Sequence, residues 1–411
     1  MNAHLPSLGI MACFHTGQPP FRQKETFRAL CEAGKTLGVQ VYVFAPEALN
    51  LQHSPRICSF RRPLANKGLV GYTLQPETTN WQKNIFPPPD MVYDRTFCSN
   101  AEEEFQARMA RRRLSDLGIP LLQQKLGGKW ETQKALAACS MLRPHLPATD
   151  LLGSGVRRRL AQHGAAFLKP DTGSQGKGCA LLYRPGLRKG IGCYSTNADT
   201  EEVQSGVLYA AMGRDAENHA FRIHFLSAKE ASAWLKSFTA RTRYLVQDFL
   251  NLTAANGSVY DIRSLIQKDG TGKWALTGMA ARCGEPGSAT SNLHGGGAAE
   301  DADAYLTHAF GGWKAEVIKR KLRQLSMLAA HALERHYGRL AELGLDFGVD
   351  RDGHVWLIEA NSKPGRSAFR IIGHLEAAER STFYPVAYAR KLLLSSSFTP
   401  ATLESFRRIN R

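Results

Sequence analysis

Two carboxylates and one amide near residue 360 have the types and spacing of a divalent-cation site. Glu359 and Asn361 are two positions apart, so on a β-strand their side chains project from the same face. Asp346 lies 13 residues before Glu359, across the Asp-Arg-Asp-Gly turn of a predicted hairpin. Mg²⁺ prefers oxygen ligands and completes its shell with phosphate oxygens and water. The pattern therefore predicts a magnesium site, although solvated residues of an ordinary hairpin would alternate in the same way.

A second candidate is a lysine at the end of a predicted strand. Lys169 follows the apolar segment Ala165–Leu168 and precedes the glycine-rich stretch Asp171–Gly178. Its ammonium could contact phosphates while backbone amides of the stretch surround them. The stretch is not a P-loop, because Lys177 is followed by Gly178 rather than by Ser or Thr. A surface hairpin with basic residues is the alternative interpretation.

Two arginines form a third candidate. Arg263 and Arg282 lie on either side of a Lys-Asp-Gly-Thr-Gly turn, and Asn292 lies in a glycine-rich loop that follows them. Arginines that point from such a hairpin into one cleft would bind carboxylate or phosphate and stabilise developing negative charge. Surface salt bridges are the alternative.

The elements that must position these residues follow from hydrophobic periodicity. Strands over residues 8–13 and 39–45, with a helix over 25–37 between them, predict a βαβ unit with a parallel sheet. Further predicted elements are strands at 90–97, 165–168 and 244–250, helices at 102–117, 130–141 and 317–337, and hairpins over 263–281 and 347–358. The final ~40 residues are predicted to be helical with a basic end.

Length, composition and charge limit the class of protein. A chain of 411 residues is too long for one ordinary core, so two or three domains are expected. Hydrophobic residues at 43% and charged residues at 22% exclude a disordered, collagen-like or coiled-coil chain. The formal charge of +17 favours anionic partners such as nucleotides without choosing among them. No nucleic-acid-binding signature accompanies the basic runs at 111–113 and 157–159, so specific nucleic-acid binding is not predicted.

The cysteines and the apolar segments bear on the compartment. Eight cysteines are scattered with no CxxC pair, which predicts reduced, mostly buried thiols in a cytoplasmic protein. Residues 1–12 lack the pattern of a secretory signal, and no segment approaches the ~18 apolar residues of a membrane span.

Taken together and in order, these segments resemble the ATP-grasp superfamily of ATP-dependent carboxylate–amine ligases. Nearly the full length is most similar to the YheC/YheD family of endospore coat-associated ATP-grasp proteins. The segments that carry this resemblance are Val92–Arg95, Gly128–Glu131, Phe167–Pro170, Val259–Arg263, Trp274–Gly287 and Trp356–Gly365. The resemblance implies an α/β and α+β fold: an N-terminal α/β (pre-ATP-grasp) domain over 1–124, a two-lobed ATP-grasp domain over 125–372 and a helical, basic C-terminal tail over 373–411.

The resemblance also implies a role for each matching residue. Lys129 matches a lysine expected near the α-phosphate, and Lys169 matches one that reaches phosphate and adenine. The other implied nucleotide contacts are Thr172, Gly173, Ser174, Gly176, Lys177 and Gly178 in a loop over the triphosphate, and Gln247, Asp248, Phe249 and Leu250 in the adenine hinge. Asp346, Glu359 and Asn361 match magnesium ligands, whereas Arg282 and Asn292 match residues around the γ-phosphate and acyl phosphate, with Arg263 as a third candidate for that role.

The implied activity is a ligase reaction that depends on ATP and magnesium and forms a C–N bond through an acyl phosphate. Positioning and electrostatics carry such chemistry, so no catalytic serine, cysteine or histidine is assigned. The implied partners are ATP, a small-molecule or peptide carboxylate, an amine, and spore coat components. The alternative is a nucleotide-binding, spore coat-associated protein without turnover. The sequence predicts neither the substrates nor the oligomeric state.

Overall fold

The computed structural model describes residues 5–50, 68–75, 78, 80–173, 176–186, 206–252, 259–284 and 298–395. Within these residues the chain forms three β-sheets, each with helices packed against it. The first sheet has parallel strands, and every strand pair of the other two sheets is antiparallel. The predicted combination of α/β and α+β structure is confirmed.

The first sheet has the strand order β4-β3-β2-β1-β5. Its elements are β1 (Ser7–Met11), α1 (Lys24–Leu37), β2 (Gln40–Phe44), α2 (Glu47–Asn50), β3 (Leu69–Leu74), β4 (Trp81–Phe86), β5 (Met91–Asp94) and α3 (Ala101–Asp116). Strand β1 pairs in parallel with β2 and with β5, which confirms the predicted βαβ unit. The antiparallel strands β3 and β4 are not among the predicted elements.

The second sheet has the order β10-β9-β8-β7-β11-β6. Its elements are β6 (Thr149–Leu151), α5 (Ser154–His163), β7 (Ala165–Pro170), β8 (Ala180–Tyr183), β9 (Tyr209–Arg214), β10 (Ala220–Phe225), α6 (Ala228–Phe238) and β11 (Tyr244–Gln247). Lys169 lies near the end of β7, opposite Leu245 of β11. Strand β11 ends three residues before its predicted end, so residues 248–250 leave the sheet.

The third sheet has the order β14-β13-β12-β15-β16, and both predicted hairpins are confirmed. Its elements are α4 (Lys129–Ala137), β12 (Tyr260–Lys268), β13 (Trp274–Cys283), β14 (Ala298–Asp301), α7 (Ala302–Phe310), α8 (Gly312–Tyr337), β15 (Glu342–Val349), β16 (Val355–Asn361) and α9 (Ser367–Ile371). Helix α8 buries Ile318, Leu322, Leu325 and Ala329. This spacing of three or four residues forms one apolar face, which packs on the sheet.

The last described helix, α10 (Leu375–Leu394), returns to the first sheet and packs against α1. Its residues Val386 and Tyr388 belong to the same core as Leu8 and Phe27. The sequence sets residues 373–411 apart as a tail, whereas the helix within this segment completes the core of the first sheet. Residues 396–411 lie outside the described residues.

The cysteines within the described residues have free thiols, and Cys58 and Cys193 lie outside those residues. Contrary to the prediction that most are buried, only Cys13 and Cys31 are buried, and the other four are half-buried. The closest approach is between the Sγ atoms of Cys13 and Cys98, at 3.8 Å. None of the described helices combines the length and the apolar character that crossing a bilayer requires.

Candidate functional site

The register of the third sheet places five charged side chains on one face. Arg263 of β12 is opposite Asp346 of β15, and Asp346 is opposite Glu359 of β16. Directly opposed residues of antiparallel strands point to the same side of a sheet. Asp261, two positions before Arg263, shares that side and is opposite Arg282 of β13. Strand pairing therefore brings the predicted arginines and carboxylates together.

The two arginines are bound to carboxylates within the sheet. Arg282 donates from Nε and Nη2 to Asp261 at 2.6 Å each, and its Nη2 lies 3.1 Å from Asp346 Oδ1. Arg263 Nη2 donates to Asp346 Oδ2 at 3.0 Å. Arg282 and Asp346 are only 9% and 7% exposed, so the alternative of surface salt bridges is wrong for this pair. Burial alone would raise the pKa of Asp346, but the two arginines outweigh it and hold that pKa below its usual value.

Glu359 and Asn361 extend this oxygen-rich face at the end of β16. The Asn361 amide nitrogen lies 3.4 Å from Asp346 Oδ2, so the three predicted metal ligands adjoin one another. Among the described residues no group of three His, Cys, Asp or Glu side chains is placed to hold a metal. Mg²⁺ at a phosphate site needs only one or two carboxylates, because phosphate oxygens and water complete its shell. The donor set of two carboxylates and one amide oxygen fits that requirement.

Lys129 links the glycine-rich stretch to the carboxylates. Its Nζ lies 3.4 Å from Glu359 Oε1 and donates to the backbone oxygen of Gly173 at 2.7 Å. The start of α4 is fixed by Asp171, whose Oδ1 accepts a hydrogen bond from the backbone N–H of Trp130 at 2.7 Å. The ammonium of Lys129 is therefore positioned between the second and third sheets.

Lys169 is a buried cation with a neutral partner. It is 6% exposed, and its Nζ donates to Gln247 Oε1 at 3.2 Å. Gln247 in turn donates to Thr149 Oγ1 at 2.8 Å, which fixes the orientation of its amide. Burial lowers the pKa of Lys169 to about 8. A buried ammonium without a bonded carboxylate is suited to receive an anion.

These groups line one cavity of about 620 Å³, a volume typical of small-molecule sites. The predicted site residues that line it are Lys129, Lys169, Gly173, Gly176, Lys177, Gln247, Asp248, Phe249, Leu250, Arg263, Arg282, Asp346, Glu359 and Asn361. Thr172 and Gly178 are not among the lining residues. Ser174 and Asn292 lie outside the described residues.

Several residues around the cavity are not among the predicted site residues. Arg22, Lys363 and Arg366 line its side nearest the first sheet, and Glu342 is buried behind them. Glu342 has a signal in the sequence, because it and Asp346 are the only charged residues of an otherwise apolar strand. Lys363 and Arg366 follow Asn361 closely in the chain, whereas nothing local marks Arg22.

Comparison with known proteins gives one consistent result. A family model described as YheC/D like ATP-grasp matches residues 118–392. The endospore coat-associated protein YheD of Bacillus subtilis (strain 168) is 28% identical over 405 residues, which are 95% of this chain and 80% of that protein. The endospore coat-associated protein YheC of the same organism is 26% identical over 301 residues, 71% of this chain and 75% of that protein.

Among solved structures, D-cycloserine synthetase DcsG superimposes with a TM-score of 0.50 at 13% identity. The alignment covers 94% of this chain and 98% of the synthetase. At that identity the likeness shows a shared fold.

Proposed function

The chain belongs to the YheC/D-like ATP-grasp family, and on that basis we propose that it is a ligase that uses MgATP to join a carboxylate to an amine. The observation that carries the proposal is the arrangement of opposite charges on the two sides of one cavity. Lys169 lies on the second sheet, Asp346 and Glu359 lie on the third, and the ammonium of Lys129 lies between the two. Cations for phosphates and carboxylates for a divalent cation therefore face the same space.

The nucleotide in this proposal lies along the second sheet. Lys169 and Lys129 bind its phosphates, and the segment from Gln247 to Leu250, which leaves the sheet after β11, contacts the base. Phe167 and Leu252 line the same part of the cavity and supply apolar contacts for a purine ring. Ser174, in the glycine-rich stretch, belongs to the proposed phosphate contacts through the family resemblance alone.

Asp346, Glu359 and Asn361 would hold the magnesium ion, which supplies neutralisation of phosphate charge when bound. Arg263 and Arg282 adjoin these residues and would bind the oxygens of the transferring phosphoryl group. Asn292 is assigned to the same phosphoryl group by resemblance. The carboxylates Asp261 and Asp346 hold both guanidinium groups in place before substrate arrives, so little reorganisation is needed during the reaction.

The proposed reaction has two steps. An oxygen of the substrate carboxylate bonds to the γ-phosphorus as the bond to ADP breaks, which gives an acyl phosphate. The amine nitrogen then bonds to the acyl carbon, phosphate leaves, and the nitrogen loses a proton. This chain's residues orient the reactants and stabilise charge, and none forms a covalent intermediate.

A thermal unfolding scan tests the nucleotide site. Saturation with ATP and magnesium at a hundred times the dissociation constant should raise the free energy of unfolding by about 2.7 kcal/mol. Lys169→Ala should lose most of that gain, because a phosphate contact is removed. Lys236→Ala, an exposed lysine on α6 in the same lobe, is the matched control and should retain the gain. A wild-type protein that does not respond to MgATP would contradict the proposal.

The pKa of Lys169 predicts a pH dependence of nucleotide binding. The free protein loses the ammonium charge as pH rises through about 8, whereas bound phosphate would keep it protonated. ATP affinity should therefore fall by up to about tenfold per pH unit above that value, with proton uptake on binding. Titration calorimetry at pH 7 and pH 9 in two buffers of different ionisation enthalpy measures both effects. If the ATP affinity of Lys169→Ala falls equally between pH 7 and pH 9, the group that titrates is not Lys169.

The names of the relatives favour a second candidate, a coat-associated protein that binds nucleotide without turnover. Expression of tagged wild-type and Glu359→Gln proteins in a Bacillus subtilis strain lacking YheD separates the two. Full restoration of the spore phenotype by a Glu359→Gln protein that releases no ADP would favour the second candidate. Failure of that restoration, with normal protein amounts, would favour the ligase.

A further inference from the structure

The cavity continues beyond the proposed nucleotide end toward the first sheet. The basic side chains that line this part are those of His15, Arg22, Arg95, Lys363 and Arg366. No carboxylate from the described residues lines it. Arg22, Arg95, Lys363 and Arg366 form what we term the basic wall.

A buried cluster within the basic wall contains more positive than negative charge. The fully buried carboxylate of Glu342 accepts hydrogen bonds from both Arg95 and Arg366. The other hydrogen-bond partners of these two arginines are neutral: backbone oxygens, Gln23 and Tyr93. Arg95 Nε and Arg366 Nη1 are buried and have no hydrogen-bond partner among the described residues. An excess cation away from water is unfavourable unless an anion approaches it.

Lys363 adds no further charge to this excess. Asp94 accepts hydrogen bonds from Lys363 at 2.8 Å and from Arg111 at 2.7 Å. Arg111 also lies 3.7 Å from Glu104, which the exposed Lys125 approaches at the same distance, and Asp94 remains the carboxylate partner of Lys363. Lys363 therefore shapes the basic wall while its own charge is compensated.

Arg22 supplies a second uncompensated charge. It is exposed on the cavity wall and has no hydrogen bond or ion pair to any of the described residues. The next residue, Gln23, accepts a hydrogen bond from Arg95 Nη2 at 3.0 Å, which places Arg22 beside the buried cluster. The imidazole of His15, on the same side of the cavity, lies 3.8 Å from Glu103.

We propose that the acid substrate carries a second carboxylate, which binds at the basic wall against Arg22 and the cluster of Arg95 and Arg366. The inference rests on the proposed function, because the reacting carboxylate of the same molecule is needed at the phosphate end, beside Arg263. The substrate class is then a dicarboxylate, either an acidic amino acid or a peptide with an acidic residue. Guanidinium groups suit this role because their planar fork can bind both carboxylate oxygens.

Matched acids and amides test the inference on the full-length protein. The panel is L- and D-glutamate and aspartate, the corresponding glutamines and asparagines, the dipeptide Glu-Glu, and O-phosphoserine. Each compound is assayed by thermal stabilisation with and without MgATP, and by ADP release with an amine mixture. We expect at least one acid to reach half of its maximal effect, in stabilisation or in ADP release, at about tenfold lower concentration than its amide. The reason is that the amide lacks the charged hydrogen bond that the acid makes.

Variants of exposed arginines locate the effect. Arg22→Gln should raise the half-saturating concentration of the effective acid about tenfold while leaving its amide unchanged. Arg112→Gln, an exposed arginine on α3 outside the cavity, is the matched control and should change neither.

Three results would overturn the inference. In the first, amides are as effective as acids; in the second, no acid at 10 mM stabilises the protein with or without MgATP. In the third, O-phosphoserine stabilises the protein or promotes ADP release more strongly than every dicarboxylate. The acid measurements without nucleotide do not depend on ATP. A protein that binds acids but ignores MgATP would therefore refute the proposed function alone.

Discussion

The Glu342→Gln variant is expected to unfold with a free energy about 3–5 kcal/mol lower than that of the wild-type protein. The Glu342 carboxylate is fully buried and accepts hydrogen bonds from Arg95 at 2.9 Å, Gln267 at 3.0 Å, Tyr93 and Arg366. A neutral amide would leave two buried guanidinium groups without any counter-charge. It would also present N–H groups to donors that need an acceptor.

Urea unfolding, followed by fluorescence and by circular dichroism, measures this loss. The matched control is Glu376→Gln on α10, which removes an ion pair to Arg380 in which the glutamate side chain is 72% exposed. Exposed ion pairs contribute about 0–1 kcal/mol to the free energy of unfolding, so this free energy should differ little between the control variant and the wild-type protein. Equal losses in the two variants would mean that the buried network does not stabilise the contact between the first and third sheets.

Glu359→Gln is expected to reduce MgATP-dependent turnover by more than about 100-fold while leaving the unfolding free energy of the nucleotide-free protein within about 1 kcal/mol. The first effect follows because losing a residue that hydrogen-bonds to a metal ligand already lowers metal affinity or activity about 10–100-fold. The loss of a direct ligand should lower activity further. The second follows because the pair between Glu359 and Lys129 is partly solvated, with the glutamate side chain 30% exposed. ADP release at saturating magnesium and thermal unfolding without nucleotide measure the two effects.

Glu334→Gln is a suitable control for Glu359→Gln. Glu334 is also a lysine-paired glutamate with a side chain 25% exposed, but it contacts Lys268 and Trp274 and does not line the cavity. Its variant should retain full turnover. If Glu359→Gln also retains turnover, Glu359 is not a magnesium ligand. If Glu359→Gln does not fold, the role of Glu359 is structural.

Local sequence patterns predicted much of the candidate site because the site is built on hairpins. The short turn predicts that β15 and β16 pair with each other. A register shift between Asp346 and Phe347, which the turn does not predict, then places Asp346 opposite Glu359 rather than opposite Ile358. The hairpin of β12 and β13 has a similar shift, between Leu265 and Ile266, and this shift places Arg282 opposite Asp261. The roles assigned to these residues remain predictions that the variants above test.

The contacts between distant segments could not be predicted in this way. Arg95 and Glu342 are 247 positions apart, and neither residue's neighbours in the chain specify the other as a partner. The docking of α10 on α1 depends on the shape of a core that forms only in the folded chain. Periodicity predicted that α10 would be a helix, but periodicity does not indicate which surface covers its apolar face.

The position of α10 has a consequence for how the protein is made. Strand β5, the last strand of the first sheet in chain order, ends at residue 94, and α10 ends 300 positions later, at residue 394. At 5–20 residues per second a ribosome needs about 15–60 s to make the intervening chain. Throughout that interval the nascent first sheet lacks Val386 and Tyr388 from its core. The first sheet is therefore synthesised well before α10, the last described helix. Until α10 is made, the apolar surface that it covers is exposed to chaperones or to aggregation.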